Sequence, residues 1–154
     1  MTSEKKYTCI LFFVLAIAFA IRFLGISQPF NEDELHWAHS ARARDWLGTV
    51  TFNAPLSIYA LNTFTALFGV STETIRLTFI LAGLLTILIA AKLAREQYNK
   101  LTALITALLL AINPLHVLAS LQAAYEGSFM TLFSTIHIPN QVSILLVVSN
   151  ANLL

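Results

Sequence analysis

Residues 55–70, PLSIYALNTFTALFGV, decide the topology of this chain, because they either cross a membrane or lie along it. The stretch is apolar, but it has sixteen residues and carries Ser57, Asn62, Thr63 and Thr65. A bilayer core takes about 20 predominantly apolar residues. Charge on the flanking segments decides the matter. The next apolar run, 74–94, leads into KLAREQYNK, whose Lys92, Arg95 and Lys100 make it the most basic connection between apolar runs. The positive-inside rule puts that connection in the cytoplasm. The first run, 7–26, follows Lys5 and Lys6, so the N-terminus is expected in the cytoplasm too. If 7–26 leads out and 74–94 leads back, then 55–70 does not cross. It is expected as a helix over about 55–69, lying at the outer interface.

Composition supports a membrane protein. Of 154 residues, 57% are hydrophobic and 11% charged, and the mean hydropathy is +0.74. Soluble domains carry about 25% charged residues. The net charge of +1 leaves no basic footprint for nucleic acid. Cys9, the single cysteine, lies in the first apolar run and cannot form an internal disulfide. A cleaved signal peptide is a rival reading of that run, with 16–18, AIA, as a small-residue site; the apolar runs further on favour a retained helix. Residues 101–121 form the next expected span, with Pro114 tolerated inside it. Another begins at 128–138 and stops at His137 and Pro139, and residues 139–154 stay unassigned. The fold class is therefore all-α: a polytopic membrane bundle over 1–138, with spans at about 7–26, 74–94 and 101–121. An outer loop over 27–73 holds helices at about 33–46 and 55–69.

That loop is chemically the richest part of the chain. Four of the eight acids, Glu32, Asp33, Glu34 and Asp45, fall within it over fourteen residues. A carboxylate beside a bilayer is partly desolvated, which tunes it toward general-base work. Two adjacent acids on a helix point in different directions, so one can do chemistry while the other caps or binds. The plain alternative is a solvated helix start whose acids favour the dipole. Asp33 and His36 share a helix face and are weak candidates for a divalent cation, being too few for a closed site. Glu126, in 123–129, AAYEGSF, is a boundary acid between apolar runs. Arg22, in the last turn of the first run, is expected to snorkel to the interface. Arg76 opens the 74–94 run, where it can meet a phosphate or a loop acid. Tyr59, Tyr125 and Trp46 fit an interfacial aromatic belt. His116, beside Pro114, reads as an interface or packing residue.

The order of these parts resembles a known family. A span leads to an outer loop with Asp-Glu, then to a helix ending LFG at 67–69. RL at 76–77 opens a long span, and a basic turn precedes NPLHVLAS at 113–120 and AAYEGSF. This resembles the N-terminal part of membrane glycosyltransferases of the GT-C fold, in particular the dolichyl-phosphate-mannose protein mannosyltransferase-like family, over about 7–133. The resemblance implies transfer of a sugar from a polyprenyl-phosphate donor to an extracytoplasmic glycan, lipid or protein acceptor. It places the protein in the cell membrane, with the acidic loop outside. Asp33 is then the general base or acceptor-binding acid, with Glu34 beside it and Glu126 opening the second outer loop. Arg76, Tyr59 and Trp37 are the candidates for substrate contact. Members differ over a divalent cation. Where the family often has His-Pro-Pro this chain has Asn53-Ala54-Pro55. Relatives are several times longer, so a truncated or frameshifted reading frame is expected. A small non-catalytic membrane subunit is the competing reading.

Overall fold

The computed structural model describes residues 2–30, 32–44, 55–122, 132, 134 and 135, and of residues 33, 55 and 56 the backbone only. The architecture is all-α: α1 (Ser3–Phe23), α2 (Glu32–Ala43), α3 (Pro55–Phe68), α4 (Thr72–Gln97), α5 (Lys100–Ile112) and α6 (Pro114–Leu121). Two helices, α1 and α4, are long and apolar enough to cross a membrane, and α5 with α6 forms a bent third candidate. At 14 residues α3 is about 21 Å long, too short for a hydrocarbon core of about 30 Å.

Each helix boundary has a local cause. Ser71 caps α4 by accepting from Thr74 N at 3.1 Å, and Asn99 caps α5 by accepting from Thr102 N at 2.9 Å. Gly69, at φ 84°, ends α3 in the left-handed conformation that spares glycine a Cβ clash. The segment expected as one span over 101–121 is instead broken. Asn113 is extended (φ −63°, ψ 119°), α5 and α6 meet at 61°, and the Asn113 side chain accepts from Leu115 N and His116 N. Pro114 disfavours a helical residue before it and suits the first position of a new helix.

The bundle is α1, α4 and α5 side by side. Glu4 pairs with Arg95 at 3.0 Å and with Lys100, and Arg95 lies over the Tyr7 ring at 4.8 Å. The start of α1 therefore meets the end of α4 and the start of α5. Every lysine of the chain lies at this end of the bundle. Val14, Ala18, Ile87, Ala91, Ala107 and Ala111 form the seam between the three helices. Small side chains let backbones approach closely where lipid offers no hydrophobic drive. Outward-facing Ile10, Phe12, Phe13, Leu108 and Leu109 remain exposed, as a lipid-facing surface requires. A second core, at the other end, joins α2, α3 and α4 through Trp37, Ala41, Ile58, Leu61, Ile75 and Phe79.

Gly83 sets the α4–α6 distance. A Cβ there would lie 2.8 Å from Ser120 Cβ and 3.8 Å from His116 Cε1. Gly83→Ala should destabilise the detergent-solubilised protein by about 1–3 kcal/mol through overpacking. Ser120→Gly should restore most of that loss, and thermal unfolding of the single and double variants checks it.

Candidate functional site

Arg76 organises the end of the bundle opposite the lysines. It sits in the second turn of α4 and is 5% exposed. Its Nε donates to Glu34 Oε1 at 3.0 Å and its Nη2 to Glu34 Oε2 at 2.8 Å, a two-pronged pair. Its Nη1 donates to the carbonyls of Gly25 (3.2 Å), Ile26 (3.3 Å) and Gln28 (2.7 Å), and its Nη2 also donates to Pro29 O at 3.0 Å. The Phe30 ring lies 5.4 Å from the guanidinium. Every N–H of the group thus has an acceptor, and GISQP at 25–29 wraps around it. The sequence follows from the need. Only a guanidinium offers five donors in a rigid plane, and a turn that directs several carbonyls at one point can accept them.

The clamp fixes α2. Glu34 is 1% exposed and draws the first turn of α2 onto α4. One turn later Trp37, 6% exposed, meets the Phe79 ring edge-on at 5.5 Å. Trp37, a candidate for substrate contact from the sequence, is thus a core residue of the α2–α4 seam. Of the two partners open to Arg76, phosphate or loop acid, the structure gives the loop acid. Asp33 belongs to the same anchored first turn, and its side chain lies outside the described residues. His36 is exposed on α2, and Tyr59 is 46% exposed on α3. Glu126, Tyr125, Trp46 and His137 lie outside the described residues. Among the described residues no three His, Cys, Asp or Glu gather where a metal ion could be held.

A second buried arginine was not foreseen. Arg22, expected to snorkel, is fully buried. Its Nη1 donates to Ala18 O (2.9 Å) and Ala111 O (3.2 Å), and its Nη2 lies 2.7 Å from His116 Nδ1. A guanidinium only donates, so His116 accepts at Nδ1 and carries its proton on Nε2. The signal was present in the sequence: an arginine between Ile21 and Phe23, inside an apolar run, asks for a partner.

Removing one partner of a buried ion pair leaves the other charge uncompensated, at about 3–5 kcal/mol. Glu34→Gln and Arg76→Leu should each lower stability in detergent by that order. The double variant should cost clearly less than the sum, and Arg76→Lys should fall short of restoring the pair because an ammonium cannot reproduce the two-pronged contact. Chemical denaturation of the four proteins checks it.

The family model of the dolichyl-phosphate-mannose-protein mannosyltransferases matches residues 53–146, which include all of α3, α4, α5 and α6. No curated protein and no solved structure matches the chain. The match takes in Arg76 from the clamp and His116 from the second arginine's contact. At the level of the family the activity is that of a membrane glycosyltransferase of the mannosyltransferase kind, using a polyprenyl-phosphate-linked donor. Matched over more than half its length, this membrane chain belongs to the dolichyl-phosphate-mannose-protein mannosyltransferase family.

Proposed function

We propose that the chain carries the first-loop half of a glycosyltransferase site. In this reading a sugar moves from a polyprenyl-phosphate donor to an extracytoplasmic glycan, lipid or protein acceptor. The observation that supports it most is the Arg76–Glu34 pair, because it holds the helix turn that contains Asp33 at the mouth of the bundle. A general base must sit within hydrogen-bond reach of the proton it takes, so its backbone has to be fixed before its side chain can be useful.

Asp33 is the acid assigned to chemistry. It accepts the proton of the acceptor nucleophile as the nucleophile bonds to the anomeric carbon. The bond from that carbon to the donor phosphate breaks, and the polyprenyl phosphate leaves with the electron pair. Glu34 and Arg76 act behind it as positioning residues. Exposed Tyr59 offers a ring to the donor chain or the acceptor, and Glu126 is the second acid of the site. The proposed orientation has the lysine-rich end, with Lys5, Lys6, Lys92, Arg95 and Lys100, in the cytoplasm. The α2–α3 end then faces the extracytoplasmic side, where α3 lies along the interface. Any divalent cation would rest on Asp33 and His36.

Asp33→Asn is the direct test. Membranes bearing the protein are supplied with a polyprenyl-phosphate-linked mannose, and transfer to endogenous acceptors is followed by radiolabel. Loss of the base should reduce transfer by about 10²–10⁴-fold, with insertion and thermal stability unchanged. Undiminished transfer by Asp33→Asn would remove Asp33 from the chemistry. A chain that transfers nothing, and copurifies with another membrane protein whether or not Asp33 is present, would be a non-catalytic subunit.

A further inference from the structure

Among the described residues two arginines are buried in this bundle, and of these Arg76 meets an acid. Arg22 spends its charge on two carbonyls and a histidine. Ala111 O lies in the last turn of α5, where helix carbonyls have no partner of their own. His116 lies in the first turn of α6, on the other side of the 61° break. One side chain from α1 therefore bonds both arms of the bend. Ser120, one turn beyond, donates to His116 O at 2.7 Å and packs on Gly83 of α4, which seats the rest of α6.

The seated helix reaches the clamp. At its end Leu121 touches Gly25, whose added Cβ would meet Leu121 Cδ1 at 3.1 Å and Cδ2 at 3.3 Å. Gly25 is the first residue of the turn that wraps Arg76, and its carbonyl accepts from Arg76 Nη1 at 3.2 Å. A continuous path thus runs from Arg22 and His116, through Leu121 and Gly25, to Arg76, Glu34 and the first turn of α2. If α6 swung about Asn113, Leu121 would leave Gly25 and the turn would lose its backing.

We infer that Arg22 and His116 form a latch on the α5–α6 bend, and that they are positioning residues for the site that begins at Asp33. The latch needs a donor-only cation on α1 and a hydrogen-bond acceptor at the Nδ1 position of residue 116. The bond is direct and buried, so a residue of similar size without that acceptor opens it. The role in catalysis rests on the proposed transferase reading; the role in geometry does not.

The test separates the two. In a Cys9→Ser background, Gly25→Cys and Leu121→Cys place thiols on the two sides of the contact. Replacing Leu121 also removes the atoms that a side chain at Gly25 would strike. A short bis-methanethiosulfonate reagent should crosslink the pair within the full chain in membranes. His116→Phe keeps a ring but no acceptor and should lose most of the crosslink. His116→Asn, with Oδ1 in the place of Nδ1, should retain it, and Arg22→Leu should lose it as His116→Phe does. In radiolabelled mannose transfer, His116→Phe should lower kcat by about 100-fold with little change in KM for the donor, and His116→Asn should rescue it. A crosslink retained in His116→Phe would overturn the latch, as would one lost equally in His116→Asn. If Arg22→Leu does not accumulate, the two His116 variants carry the test alone. A crosslink that follows the predicted pattern while Asp33→Asn transfers normally would sink the catalytic reading and leave the latch standing.

Discussion

The guanidinium of Arg76 is the constraint on which the loop end of this bundle depends. A charged group at the mouth of an apolar bundle is stable only when its charge and all its donors are matched. Glu34 supplies the charge, and the carbonyls of Gly25, Ile26, Gln28 and Pro29 supply the remaining acceptors. Three separate pieces of chain are thereby tied to one side chain: the turn after α1, the start of α2 and the second turn of α4. Local propensity alone does not arrange this. The α2 helix is only 12 residues long, which is marginal in isolation, and it gains its order from Glu34 and Trp37 docking on α4.

The two ends of the bundle treat charge in opposite ways. At the lysine-rich end Glu4, Arg95 and Lys100 are exposed, and their ion pairs are screened by water and contribute little to stability. At the other end Arg22 and Arg76 are buried, and each serves as a geometric fixture. Between them the alanine seam holds three helices close, and the buried hydroxyls of Thr78 and Thr86 are spent on carbonyls of their own helix. The two ends are therefore linked mainly by packing between helices.

Much of this was legible in the residues. The all-α membrane class followed from composition and from the length of the apolar runs. The segment over 55–69 reads as a non-crossing helix chiefly from the basic turn at 92–100, with its short length and polar residues in support, and the helix found there, Pro55–Phe68, has 14 residues. Arg76 as partner of a loop acid was one of two readings, and adjacency of Asp33 and Glu34 already said that one of them could bind. The rest was hidden for identifiable reasons. A proline in an apolar run allows either a tolerated kink or a break, and only Asn113 capping α6 decides for the break. Trp37 was a candidate for substrate contact by resemblance, whereas its burial against Phe79 depends on where Glu34 pulls α2. The pairing of Arg22 with His116 spans 94 positions and carries no local pattern at all. Spacing rules cannot see such a contact, although an arginine inside an apolar run announces that one exists.

The most direct measurement of the account is hydrogen–deuterium exchange of the protein in lipid nanodiscs, wild type against Arg76→Leu. The clamp ties the turn at 25–29 to α2 (Glu32–Ala43), so the two should exchange slowly in the wild type and lose protection together in the variant. The alanine seam of α1, α4 and α5 should keep its protection. If α2 kept its wild-type protection in Arg76→Leu, the loop would be organised by something other than this guanidinium, and the central claim would be wrong.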